Sequence, residues 1–154
     1  MPIPVLKPAP SGLEEHIVVE TLRSGWWGNG PRCREFEEAL AKAYARKHAV
    51  TVNSATAALH LSCLAAGIGP GDEVIVPALT FISTALAVLY CGATPVFADV
   101  RPDTLTIDWP AAQLLVTERT KAIIPVDFAG YPAFVARPDT PLTVIQDAAH
   151  APLG

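Results

Sequence analysis

Two textures of apolar residue run through this chain. In some stretches they recur every three to four positions between charges, and in others they form short unbroken runs. The first texture predicts helices. "SGLEEHIVVETLRSG" places Ser11 and Glu14 as a capping box and ends at Gly25, a residue suited to the left-handed position after a helix. "GPRCREFEEALAKAYARKH" starts a helix at Pro31 and lines Phe36, Leu40 and Tyr44 along one stripe. "SATAALHLSCLAAG" predicts a helix from Ser54 or Ala55 that stops at Gly67, "LTFISTALAVLYCG" one that stops at Gly92, and residues 109–116 a short one. The second texture predicts strands at Ala49–Asn53, "EVIVP", "TPVFADV", "KAIIPVDF" and "LTVIQD". Their continuous rather than alternating apolar character is that of strands covered on both faces. Helix and strand alternate, so the expected fold is α/β, a largely parallel mixed sheet with flanking helices. Three prolines between Gly130 and Leu142 leave little room there for a crossover helix.

Composition narrows the function. The chain has 154 residues and a net charge of −4 with interspersed signs, which gives no electrostatic footing for nucleic acid or an anionic membrane. No apolar run is long enough to span a bilayer, and "MPIPVLKPAP" lacks a signal-peptide core. The three cysteines, Cys33, Cys63 and Cys91, have neither disulfide-framework nor metal spacing. They read as reduced thiols of a cytoplasmic protein with no metal site. An apolar fraction of 51% is high for the length and points to surface covered by another subunit or domain.

In a parallel α/β sheet, ligands bind beyond the carboxyl ends of the strands. "NSATAALH" opens a helix with small residues, so the N–H groups of Ala55 and Thr56 are accessible to an anion such as a phosphate. "PALTFIST" sets Phe81 at the start of the next helix, where an exposed ring would cover a flat ligand. "VIQDAAH" delivers Asp147 directly after a strand, where it would hold a ring nitrogen protonated, with His150 beyond it to donate to a phenolic oxygen. Each stretch taken singly also has a plain structural explanation: a Ser N-cap, a core phenylalanine, an Asp N-cap, a satisfied core histidine. Together they ask for a phosphate, a ring face and a basic ring nitrogen, which pyridoxal 5'-phosphate (PLP) combines.

"GWWGNGP", "NSATAALHLSCLAAGIGPGDEVIVPALTFISTALAVLYCGATPVFADVRPDTLTID", "RTKAIIPVDFAG" and "DAAHAPLG" resemble the N-terminal part of the DegT/DnrJ-type (StrS-like) sugar aminotransferases, fold-type I PLP enzymes. The resemblance implies an N-terminal arm and first helix over residues 1–24 and part of a PLP-binding large domain over residues 25–154. It assigns Ala55 and Thr56 to the phosphate, Phe81 to the ring face, Asp147 to the ring nitrogen and His150 to the phenolic oxygen. It assigns Trp27 and Gly28 of the "WWGNGP" loop to the substrate pocket near a dimer interface. The implied reaction moves an amino group from a glutamate-like amino acid donor to a keto sugar nucleotide, in a homodimer. The alternatives are a non-catalytic PLP-binding or dimerisation module and a fragment of a PLP-dependent sugar dehydratase. Three departures stand out. Asp127 sits where a histidine is frequent, the Gly130–Leu142 connection is short, and the family's Schiff-base lysine would come beyond Gly154. Lys7, Lys42, Lys47 and Lys121 do not match it, so the chain is expected to hold an incomplete, inactive site.

Overall fold

Four parallel strands form the core of the protein, in the spatial order β2-β1-β3-β4. They are β1 (Glu73–Pro77), β2 (Thr94–Ala98), β3 (Thr120–Ile123) and β4 (Thr143–Val144). The computed structural model describes residues 10–133 and 142–151, in two compact units, Met1–Thr51 and Val52–Gly154. The nine N-terminal residues and most of the Gly130–Leu142 connection lie outside the described residues, so the expected arm and the short crossover are not described.

The sheet unit explains its own sequence. Strand residues alternate faces. Val74 and Val76 of β1 pack with Ala122 and Ile124 against Leu59 and Cys63 of α3 (Ala55–Ala65) and Val88 of α4 (Ser83–Tyr90). Ile75 and Ile123 point to the opposite layer, where Ala98, Ile107 and Ala112 of α5 (Trp109–Gln113) cover them. Both faces are occupied, so every residue of "EVIVP" is buried and the run needs no polar alternation. The edge strand β2 is far more open, as a strand with one neighbour can be.

The amino ends of the strands are closed by charge. Glu73, 7% exposed, accepts from Thr117 Oγ1 at 2.6 Å and pairs with Arg119. Next to it Lys121 Nζ meets Asp72 at 3.2 Å and donates to the Gly67 carbonyl. The N–H of Gly69, and then Lys121, hold the Asp72 carboxyl below the usual aspartate range.

Several expected elements differ. Ala49–Asn53 forms no strand, and none of the described strands pairs with it. Val50 is 77% exposed, and the Glu37 carboxylate takes the Thr51 N–H and hydroxyl at 2.7 and 2.8 Å instead. α4 begins at Ser83, not Leu79. β3 stops at Ile123, short of Pro125, which has no N–H to donate to a ladder. Pairing continues as single contacts, Asp147 N–H to the Pro125 carbonyl and Asp127 N–H to the Asp147 carbonyl.

In the N-terminal unit the helices are α1 (Leu13–Ser24) and α2 (Pro31–Ala43). The cap of α1 is Gly12 at φ 88° rather than Ser11. Glu14 still reaches back to the Ser11 N–H at 2.9 Å, so half of the capping box forms. The Phe36–Leu40–Tyr44 stripe is not packed: neither α1 nor α2 has a buried residue, and Phe36 is 56% exposed. No described helix is long and apolar enough to cross a membrane, and no three His, Cys, Asp or Glu among the described residues are grouped to hold a metal.

Two outcomes follow from this packing. Ile123→Ala, at a fully buried position, costs about 2–5 kcal/mol in urea unfolding, whereas Val50→Ala stays within about 0.5 kcal/mol. The cysteines separate by reactivity. Burial, with the Cys91 thiol beside it, pushes Cys63 up to about 11, and burial raises Cys91 as well. At pH 8 only about one Cys63 in a thousand is thiolate. Ellman's reagent therefore titrates the half-buried Cys33 first, and Cys63 and Cys91 only after denaturation.

Candidate functional site

The carboxyl ends of the strands carry hydroxyls and carboxylates in place of ion pairs. Asp147 follows β4, and just past that strand the Ile145 N–H still bonds the Ile123 carbonyl of β3 at 3.0 Å. The strand therefore delivers an acid into a layer where it is only 7% exposed. One carboxylate oxygen, Oδ2, accepts from Thr84 Oγ1 at 2.9 Å, and Oδ1 accepts from the Ala149 N–H at 3.2 Å. No Lys or Arg among the described residues pairs with it. A carboxylate has room for about four hydrogen bonds. Asp147 is satisfied enough to be buried and retains capacity for a cationic donor.

The anion end is built at the start of α3. Ser54 is extended and caps the helix, its hydroxyl accepting from the Ala57 N–H at 3.2 Å and its carbonyl from the Ala58 N–H. The N–H groups of Ala55 and Thr56 have no acceptor among the described residues, as the first amides of a helix do not. Thr56 Oγ1 lies 2.7 Å from Ser83 Oγ. Thr56 and Asp147 are thus bonded to successive residues, Ser83 and Thr84, in the first turn of α4. Phe81, two positions earlier, is 67% exposed and lies before the helix rather than within it. One five-residue segment, Thr80 to Thr84, therefore touches or carries all three groups.

His150 is exposed, and its Nδ1 accepts the Ala129 N–H at 3.2 Å. In the neutral imidazole the hydrogen then sits on Nε2, which is left as a donor. Ala129 is held at φ 53° in the turn Phe128–Gly130, and the Phe128 ring meets the imidazole edge-on at 5.9 Å. Asp127, 5% exposed, spends its carboxylate internally: it accepts from the Ala133 N–H at 2.8 Å and from Gln146 Nε2 at 3.0 Å on each oxygen. Asp127 thus organises the turn after β3.

Trp27 and Gly28 belong to the N-terminal unit. They line an open concavity of about 720 Å³ with Trp26 and Arg32. Trp27 is 77% exposed and donates its indole N–H to the Leu22 carbonyl at 3.0 Å. Arg32 is committed to Glu20 at 2.6 Å and Glu35 at 2.9 Å. Lys121, the one lysine of Val52–Gly154, is tied to Asp72 at the opposite end of the strands.

Sequence reasoning gave no site role to Ser83, Thr84 or Gln146, and it noted Asp127 without finding its partners. The available signal was the Ser-Thr pair inside the otherwise apolar "STALAVLY". A buried hydroxyl there needs a partner, and a distant acid is the partner it finds.

The comparisons with known proteins agree with this architecture. The spore coat polysaccharide biosynthesis protein SpsC of Bacillus subtilis is 50% identical over 139 residues, covering 87% of this chain and 36% of that protein. The UDP-4-amino-4-deoxy-L-arabinose–oxoglutarate aminotransferase of Shewanella sediminis is 43% identical over 154 residues, covering 97% of this chain and 40% of its own length. Spr1654 of Streptococcus pneumoniae, solved in its PLP form, superposes with a TM-score of 0.80 at 43% identity, over 84% of this chain and 33% of that one. The chain thus spans well under half the length of these proteins. Residues 11–153 match the DegT/DnrJ/EryC1/StrS aminotransferase family, and the chain belongs to that family.

Proposed function

We propose that the carboxyl edge of this sheet is the PLP site of an aminotransferase that acts on a keto sugar nucleotide with a glutamate-like amino donor, as a cytoplasmic homodimer. The observation that carries the reading is Asp147: a buried carboxylate with no described cation, hydrogen-bonded on both oxygens and with capacity left. A protonated ring nitrogen is the cation such a group fits.

The residues present fit the cofactor. The free Ala55 and Thr56 amides and the Thr56 hydroxyl, at the positive end of α3, suit its phosphate. The exposed Phe81 ring suits its flat face, and Nε2–H of His150 suits its phenolic oxygen. When bound, PLP supplies a cationic pyridine that withdraws electrons from the amino-bearing carbon of the donor. Asp147 would keep the proton on the ring nitrogen, Phe81 would shield one face from water, and the α3 amides would fix the ring's position through the phosphate. Trp27 and Gly28 are proposed for the sugar-nucleotide side. The exposed apolar residues of α1 and α2 support a subunit interface. The substrate class rests on the SpsC and UDP-amino-arabinose aminotransferase relatives.

A second reading is a PLP-holding module without its own catalysis, built on the same residues. Both readings require cofactor binding. Equilibrium dialysis of the chain against PLP is expected to show one saturable site. Asp147→Asn should weaken it about tenfold to a hundredfold and Thr56→Ala about threefold to tenfold, from the usual range for hydrogen bonds to charged groups. Pyridoxal without phosphate should bind far more weakly. Affinity unchanged in both variants would remove the assignment.

A further inference from the structure

We propose that Thr84, backed by Thr80, is a positioning residue that orients the Asp147 carboxylate toward the ring nitrogen and supports its negative charge; this rests on the PLP reading above. Thr84 is fully buried in a helix that is apolar after its first two residues, at a position a valine of nearly the same shape would fill without burying a polar atom. Its hydroxyl is instead bonded at 2.9 Å to an acid sixty-three residues away.

The hydrogens give this contact a direction. An ionised carboxylate only accepts, so the single hydroxyl hydrogen of Thr84 goes to Asp147 Oδ2. Thr84 then has no hydrogen for Thr80, 2.8 Å away, so Thr80 donates to Thr84. The two hydroxyls form an oriented chain ending on the carboxylate, and each bond polarises the next. The Ala149 N–H holds the other oxygen. The carboxylate plane is therefore pinned from two directions, by α4 and by its own turn, and not by any described cation. Phe81 follows Thr80 directly in the chain, so the segment that supplies the donors also carries the exposed ring.

Such a role predicts a defect confined to the nitrogen end of the ligand. The measurement compares binding of PLP with that of its deaza analogue, in which a C–H replaces the ring nitrogen, by the chain and its variants. The unsubstituted chain should prefer PLP by about tenfold to a hundredfold. Thr84→Val should cut that preference about tenfold by weakening PLP while sparing the analogue. Thr84→Ser, which keeps the hydroxyl, should restore it. Thr80→Val should reduce it by a smaller factor, and because Thr80 is only half-buried this variant carries the test if Thr84→Val fails to fold by circular dichroism. Equal losses for both ligands would mean a packing role only and overturn the proposal. An unchanged preference in Thr84→Val, or in Thr80→Val where the former does not fold, overturns it too. If the unsubstituted chain binds no PLP, or Asp147→Asn keeps the preference, the cofactor reading falls and this inference with it.

Discussion

The hydrogen bond from Thr84 to Asp147 joins a helix that leaves β1 to the tip of β4, across the width of β3. It is possible only because the sheet is parallel: every strand then ends on the same edge, and the helices that follow begin there. A buried carboxylate sets the terms for that edge. It must be hydrogen-bonded to be tolerated, and the groups that satisfy it must come from elements already held in place. α4 meets this demand because its apolar residues Ala85, Ala87 and Val88 are locked into the core, which leaves its first turn rigid. The same turn binds Thr56 through Ser83, so the start of α3 is referenced to the same anchor.

The two ends of the strands divide the work. At the amino end Glu73 pairs with Arg119 and accepts from Thr117, Asp72 pairs with Lys121, and the β1–β3 register shift between Glu73 and Val74 sits among them. Their partners are all protein groups, so that end is closed. At the carboxyl end the donors are hydroxyls and amides, the acids lack described cations, and Ala55, Phe81 and His150 are exposed. An edge with free carboxylate capacity and free helix amides is what the proposed cofactor, carrying both an anion and a cationic nitrogen, would complete.

The N-terminal unit shows a different kind of incompleteness. The apolar stripes of α1 and α2 are well formed as helix faces, yet they bury nothing within the described chain. The chain covers well under half of the relatives it matches, and the charges of these helices are spent on pairs such as Arg32 with Glu20 and Glu35.

By itself the sequence determined the α/β class, the helices at Pro31, Ala55 and Trp109, and the buried core strand "EVIVP", because those follow from period, capping and turn residues within a few positions. It also singled out Asp147 and the start of α3, since an acid after an apolar strand and small residues at a helix start are local signals. Tertiary structure decided the rest. Ala49–Asn53 has strand composition but no described strand pairs with it, and a ladder needs two partners. β3 was cut at Ile123 because pairing beyond it meets a proline. The partnership of Thr84 with Asp147 and of Asp127 with Gln146 was invisible, because hydrogen bonds between residues far apart in the chain exist only once the sheet has brought them together.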